Sequence, residues 1–246
     1  MRWRGEGREM TLFNQKMGIS NTSHDDSLDN TCDERSLYNY YELININYDL
    51  LASLHFREVT LMYRDGKIPM PAERLYQHNS VRSIIPSYRP YFYSLSKNDP
   101  TYVALFRLST IGDLVLHYDN IACDKKLLGL KRIAPYMNYY KGYLLGLRSI
   151  REYKVANLDS LAYTMFKLKM GLMDIVYEGK KQIAVDIYES ISCSGLPVLN
   201  RPMCDFERGF LTAAITSIYN REVETRETEC WSTGSTKCRF IIQFKD

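Results

Sequence analysis

In the C-terminal hundred residues the spacing of apolar positions switches repeatedly between two periods, and each switch predicts an element. Leu158, Leu161, Ala162, Met165, Leu168, Leu172 and Ile175 fall on one helical stripe, with Asn157 as a good N-cap and Gly179 to close it. Ile183, Val185 and Ile187 then alternate with Ala184, Asp186 and Tyr188, which predicts a strand. Gly195, Pro197 and Pro202 punctuate a loop from Cys193 to Pro202. Helical spacing returns from Asp205 to Tyr219, with Phe206, Phe210, Ala213, Ala214 and Ile218 inward and Asn220 suited to the left-handed position that ends a helix. Two strands finish the chain, Val223 to Glu229 and Cys238 to Phe244, joined by a Ser232–Thr236 turn around Gly234. Cys238, Phe240, Ile242 and Phe244 share a face of the last strand.

Upstream the pattern is less regular. Residues 1–36 are polar and show no sustained period, which predicts a flexible N-terminal tail. Apolar positions return near Leu37, with Tyr38, Tyr40, Tyr41, Leu43, Ile44 and Ile46. Val59, Leu61 and Tyr63 alternate with polar neighbours, so Phe56 to Tyr63 is expected as a strand. Arg64-Asp65-Gly66-Lys67 then looks like a hairpin turn, with Pro69 and Pro71 limiting the return strand. Pro100 to about Asp119 has roughly helical spacing. A second helix is predicted from Ala134 to Tyr153, with Pro135 in its first turn. Helices and strands interleave without a regular βαβ rhythm, so the expected class is α+β, an antiparallel sheet packed against a helical layer. The domain reading is a tail over 1–36 and a single domain over 37–246.

Composition narrows the function. The chain has 246 residues, 45% of them apolar, enough to build a core. A formal net charge of +3 gives no strong field toward nucleic acid or anionic lipid. No stretch approaches the roughly 18 uncharged apolar residues of a membrane helix. The charged opening MRWRGEGRE leads into no apolar segment, so no secretory signal is expected and the cytoplasm is the predicted compartment.

Six cysteines are too few for a disulfide scaffold, but four of them, Cys193, Cys204, Cys230 and Cys238, crowd near the C-terminus. Zinc takes four ligands in a tetrahedron, mostly thiolate or imidazole, with carboxylate permitted. Cys204 opens the last helix while Cys230 and Cys238 flank a tight turn, so a helix across a hairpin can bring three sulfurs together. No CxxC knuckle is present, and Cys238 lies beside core residues, so spacing alone leaves a metal site and a buried core both open.

A resemblance bears on that choice. Arg221-Glu222-Val223-Glu224, Glu227-Thr228-Glu229-Cys230, Gly234 and Cys238-Arg239-Phe240, after a helix with Gly209 near its start, resemble the end of the vinyl-4-reductase domain family. The likeness is to its zinc-bearing members, the N-terminal sensor domains of aromatic-responsive transcriptional activators. It implies Zn²⁺ held by Cys204, Glu227, Cys230 and Cys238. It also implies the fold shared with TRAPP vesicle-tethering subunits, an antiparallel sheet on helices enclosing an apolar cavity, often dimeric. Asp65-Gly66-Lys67-Ile68, Glu73-Arg74-Leu75, Asn79-Ser80 and the Gly142-Tyr143, Gly146, Arg148 stretch are similar to earlier parts of those sensors. The match covers about 55–244 and is strongest over 183–244.

Departures limit what carries over. The phenol-sensing relatives use a pocket His and Trp, whereas the histidines here are His24, His55, His78 and His117 and the tryptophans Trp3 and Trp231. No G-x-x-x-x-G-K-[ST] phosphate loop accompanies the domain, and no separate DNA-binding module is expected. Cys193 suits a neutral loop thiol outside the ligand set, with a redox or alternative ligand role as the other reading. Tyr136, Tyr139, Tyr140 and Tyr143 suit a half-buried helix face, and Met165, Met170 and Met173 suit the core. Asp186 and Glu189 have no His or nucleophile beside them, and no triad, paired acids or cofactor fingerprint appears.

The resulting expectation is a zinc-stabilised sensor or binding protein for an apolar or aromatic small molecule, a likely homodimer by family, able to signal to a regulatory protein partner. The alternatives are a structural assembly subunit without a ligand, and a tetrapyrrole-type carrier or enzyme accessory. Residue counting adds a geometric demand. Glu227 and Cys230 are three apart and would point to opposite faces of a regular strand, so joint ligation requires a bulge or a strand end near Thr228. Three thiolates and a carboxylate around Zn²⁺ also leave negative charge, so one of Arg201, Arg226, Lys237 and Arg239 is expected nearby.

Overall fold

Four strands make one antiparallel sheet in the order β1-β2-β4-β3, where β1 is Leu172–Glu178, β2 Gln182–Tyr188, β3 Val223–Glu229 and β4 Cys238–Phe244. Seven α-helices accompany it among the described residues: α1 (Tyr48–Ser53), α2 (Phe56–Arg64), α3 (Pro90–Leu95), α4 (Asp99–Ser109), α5 (Lys125–Glu152), α6 (Leu158–Lys167) and α7 (Asp205–Tyr219). The computed structural model describes residues 46–68, 88–109, 125–196 and 198–246, all within the unit Arg35–Asp246. The expected tail, the return strand after Pro69 and the helical stretch from 110 to Asp119 lie outside the described residues. The α+β expectation holds.

Register places the core. Ile183, Val185 and Ile187 of β2 pair with Ile242, Phe240 and Cys238 of β4, so these six side chains share one face. Val223, Thr225 and Glu227 of β3 join that face through Phe244, Ile242 and Phe240. The long helix α7 lies across it, where the Thr212 hydroxyl donates to Thr225 Oγ1 at 2.9 Å and Phe210, Leu211, Ala214 and Ile215 are buried. Its C-terminus is closed by Asn220 at φ +49°, as its sequence predicts. Outside α7 runs α5, and the two helices meet backbone to backbone. A Cβ on Gly142 would stand 1.9 Å from the Phe206 carbonyl oxygen, and one on Gly209 2.0 Å from that of Tyr139.

The opposite face is reached by α2. Tyr63 stacks on Tyr188 with ring centroids 5.1 Å apart, and Arg64 makes a bidentate pair with Asp174. Glu189, just past β2 at φ +51°, is fully buried and holds this layer together. Its carboxylate accepts from the Tyr63 hydroxyl at 2.5 Å and from the backbone N–H groups of Tyr91 and Phe92 at 2.8 and 3.1 Å. Those N–H groups open α3 and have no partner within it. Burial raises the Glu189 carboxyl to about 7, against the lowering effect of these hydrogen bonds and of Arg89.

Four expectations are corrected. Phe56–Arg64 is a helix, not a strand: Phe56, Val59, Thr60 and Tyr63 are its buried side, and His55 with Glu58 forms a capping box. Gly66, at φ +67°, closes that helix rather than turning a hairpin, because Lys67 N–H reaches the Met62 carbonyl and Gly66 N–H that of Tyr63. The long predicted helix from Asn157 stops at Lys167. Lys169 at φ +53° and Gly171 redirect the chain, and Leu172 to Glu178 becomes β1, with the β-branched pair Ile175-Val176 suited to it. Gly179 therefore belongs to the β1–β2 hairpin. Helix α5 also starts at Lys125, so Pro135 lies inside it, where its missing N–H leaves one helical bond unmade.

Two measurements follow from this packing. Gly209→Ala should destabilise the protein although the same change in an open helix gains about 1 kcal/mol. Backbone cannot yield as a side chain can, so a loss of at least about 3 kcal/mol in denaturant unfolding is expected. Glu189, raised in the folded state, contributes stability that is full below its ordinary value of 4.5 and is lost as pH rises through about 7. Unfolding free energy should therefore fall between pH 5 and 8, and Glu189→Gln should flatten that part of the profile.

Candidate metal centre

Cys204 is the N-cap residue of α7, at φ −94° and ψ 42°, and so stands at the positive end of a fifteen-residue helix. Cys238 begins β4 on the core face. Cys230 reaches the same face by a local irregularity in β3. Glu227 pairs with Phe240 and Glu229 with Arg239, so Thr228 is an extra residue in β3 and the facing parity shifts there. Glu229 then shares the outer face with Arg239, and Cys230, one step on, turns back toward the core. The bulge expected from residue counting is present.

Cys193 arrives from the loop after β2 and is fully buried, so it is not the separate loop thiol its surroundings in sequence suggest. The four sulfurs of Cys193, Cys204, Cys230 and Cys238 all lie within 4.8 Å of one another. Individual separations are 3.0 Å for Cys193–Cys238, 3.2 Å for Cys204–Cys193, 3.4 Å for Cys204–Cys238 and 3.9 Å for Cys204–Cys230. Four thiolates about 2.3 Å from a tetrahedral zinc ion would stand roughly 3.8 Å apart. The donors present fit such an ion, and the four buried cysteines could hold a metal.

Glu227 is beside this group but outside its mutual set. Its Oε2 accepts the Cys204 backbone N–H at 3.1 Å, and its buried Oε1 has no hydrogen-bond partner among the described residues. Burial, and then the neighbouring Cys230, push its carboxyl up to about 10. Burial likewise raises Cys193, to about 11, and carries Cys204 and Cys238 well above the ordinary thiol value. Cys230 shifts the other way, lowered by hydrogen bonds from Cys193, Cys204 and Cys238.

A polar frame holds these groups. Glu207, buried in the first turn of α7, accepts from the hydroxyls of Ser190 and Ser192, both at 2.7 Å, and from Ser192 N–H at 3.2 Å. Ser190 Oγ is also 3.5 Å from Cys204 Sγ. Arg107 of α4 donates to the carbonyls of Ile191 and Ser194, and Trp231 Nε1 donates to that of Leu196. On the hairpin side, Ser232 Oγ lies 3.1 Å from Cys230 Sγ and donates to the Arg201 carbonyl at 2.5 Å. Three of the four expected cations point elsewhere: Lys237 and Arg239 pair with Asp186, and Arg226 with Glu224, while Arg201 offers its backbone carbonyl to Ser232. The sequence reading missed Glu207, Ser190 and Ser192, and the Ser-x-Ser-Cys run beside a helix-opening Glu was the signal available.

Among the described residues, two clefts bear on the site. One, of about 250 Å³, lies between α2, α6 and β1, with Phe56, Ala162, Met173 and Ile175 against the ion pairs Arg57–Asp159 and Arg64–Asp174. The second, about 590 Å³, runs beside β3 and includes Tyr139, Arg208 and Glu227. Both have mixed polar and apolar walls.

An antiparallel α+β domain with a buried cysteine centre between helix and hairpin defines the class. Residues 183–244 match the V4R domain, and an uncharacterized protein of Methanocaldococcus jannaschii is 31% identical over 121 residues, 49% of this chain and 74% of its own. The chain belongs to the V4R domain family. Among solved structures, a vinyl-4-reductase family protein of the same organism is similar at 19% identity and TM-score 0.39, over 44% of this chain and 68% of that one. The phenol-responsive sensory domain of the transcription activator PoxR, solved with phenol, is similar at 14% identity and TM-score 0.40, over 45% and 64%. No helix of the described residues is long and apolar enough to cross a membrane.

Burial sets the reactivity of the centre. In the native protein, mass mapping after treatment with a maleimide should find Cys193, Cys204, Cys230 and Cys238 all slow to react, and all four labelled after unfolding. Rapid native labelling of Cys193 alone would place it back on an open loop.

Proposed function

We propose that this chain is a zinc-stabilised regulatory protein that binds a small molecule with an apolar or aromatic body. The observation that carries the reading is the convergence of four buried sulfurs from three separate segments. A Zn²⁺ ion supplies the positive charge that four buried sulfurs lack. Cys204, Cys230 and Cys238 bind it, with Glu227 or Cys193 as the fourth donor. Bound in this way, the metal ties the start of α7 to the β3–β4 hairpin and to the loop after β2. A reducing compartment such as the cytoplasm suits this chemistry, because it keeps the thiols free.

The cleft between α2, α6 and β1 is the ligand site in this reading. Phe56, Ala162, Met173 and Ile175 offer apolar contact, and Arg57 and Arg64 lie at its side with their carboxylate partners. The role is binding rather than catalysis. Thr60 is the hydroxyl on the cleft wall, and it donates to the Phe56 carbonyl.

An assembly subunit is the second reading, favoured by a separate observation. Ile133, Tyr136, Tyr140 and Leu144 follow one side of α5 and are 51, 77, 61 and 47% exposed. Such a stripe is apolar surface that a second copy or another subunit could cover.

Native mass spectrometry with metal analysis of the full chain tests the leading reading. One zinc per chain is expected, with a retained small molecule in some preparations. Cys230→Ser should lose the metal and lose on the order of 4–5 kcal/mol of stability, since metal binding is coupled to folding. A metal-free wild type, or a Cys230→Ser variant with unchanged Tm, would refute the zinc centre.

A further inference from the structure

We infer that Cys193, not Glu227, is the fourth ligand of the metal centre. The inference rests on the zinc reading above and deepens it. The resemblance implies a set of three cysteines and a carboxylate, whereas the geometry points to four sulfurs. Cys193 Sγ is 3.0 Å from Cys238 Sγ and 3.2 Å from Cys204 Sγ, and it belongs to the group in which every sulfur lies within 4.8 Å of the rest. The Glu227 carboxylate is not a member of that group.

The frame around the loop supports the same assignment. Ligands of a metal are held by second partners that fix their direction. The segment carrying Cys193 is held on both sides of it: Ser190 and Ser192 by Glu207, the Ile191 and Ser194 carbonyls by Arg107, and the Leu196 carbonyl by Trp231. This clamps a fully buried thiol against three others. Glu227 has a different task. Its Oε2 takes the backbone N–H of Cys204, a donor at the start of α7, and thereby orients a ligand rather than being one. Glu227 is a positioning residue here.

The donor count makes the choice a real alternative. A tetrahedral ion has four places, and five candidate donors surround this space. A four-sulfur set leaves a closed structural site with no exchangeable position. It also leaves Glu227 on the wall of the cleft beside β3.

X-ray absorption at the zinc edge of the wild-type full chain reads the ligand set without mutation. Four sulfur neighbours and no oxygen are expected. Cobalt substitution extends the test. In Cys193→Ser, the sulfur-to-cobalt charge-transfer absorption should fall by roughly a quarter, one thiolate of four. In Glu227→Gln that absorption should keep its intensity, while zinc affinity drops about tenfold, as for loss of an outer partner. Three sulfurs and one oxygen in the wild type would overturn the assignment and leave the zinc reading standing. Unchanged cobalt absorption in Cys193→Ser, with loss of metal in Glu227→Gln, would overturn it equally. A wild-type protein that binds neither zinc nor cobalt would remove both the assignment and the zinc reading beneath it.

Discussion

The close crossing of α5 and α7 is the packing constraint on which the position of α7 rests. With Gly142 and Gly209 at the crossing, the helices approach until a single Cβ would overlap a carbonyl oxygen of the other. This closeness fixes α7 against α5 from one side, while Thr212 and the buried Phe210, Leu211, Ala214 and Ile215 seat it on the sheet from the other. Cys204 and Glu207 stand at the start of α7. From there the sulfur of Cys204 reaches those of Cys193 and Cys230 at 3.2 and 3.9 Å.

Two buried carboxylates then do similar work on different sides of the sheet. Glu207 gathers the loop after β2 by accepting from Ser190 and Ser192, and Glu189 gathers α2 and α3 by accepting from Tyr63, Tyr91 and Phe92. Each has its charge disfavoured by burial and offset by donors. Removing such an acceptor leaves buried donors unsatisfied, at about 1–3 kcal/mol for each. The two acids therefore make the sheet's surroundings specific: the loop and the helix have one position in which their donors are met. That is the setting a thiol centre needs, because its sulfurs must arrive from segments far apart in sequence.

Much of the C-terminal half was legible before any coordinates. Asp205–Tyr219, Val223–Glu229 and Cys238–Phe244 are the elements their apolar period predicts, and the need for a bulge at Thr228 followed from counting between Glu227 and Cys230. The upstream reading failed where two periods fit the same residues. Val59, Leu61 and Tyr63 alternate, but Phe56, Val59, Thr60 and Tyr63 also follow a helical face, and the His55–Glu58 capping box decided for the helix. Leu172 and Ile175 continue a helical stripe on paper, yet the turn at Lys169 and Gly171 ends the helix first. Short apolar runs carry little information about period, and local capping or a left-handed residue outweighs them.

The sequence alone determined the interleaved α+β order, the last helix and hairpin, and the presence of three cysteines whose spacing suits one centre. Those features depend on local period, capping and parity, which neighbouring residues settle among themselves. Only the tertiary structure decided that Cys193 joins the cluster, that Glu227 serves the Cys204 backbone, and that Glu207 and Arg107 fasten the loop between them. These relations join segments held together by the α5–α7 contact and by buried polar pairs. Their distances come from how whole elements pack, and no local pattern of residues encodes that.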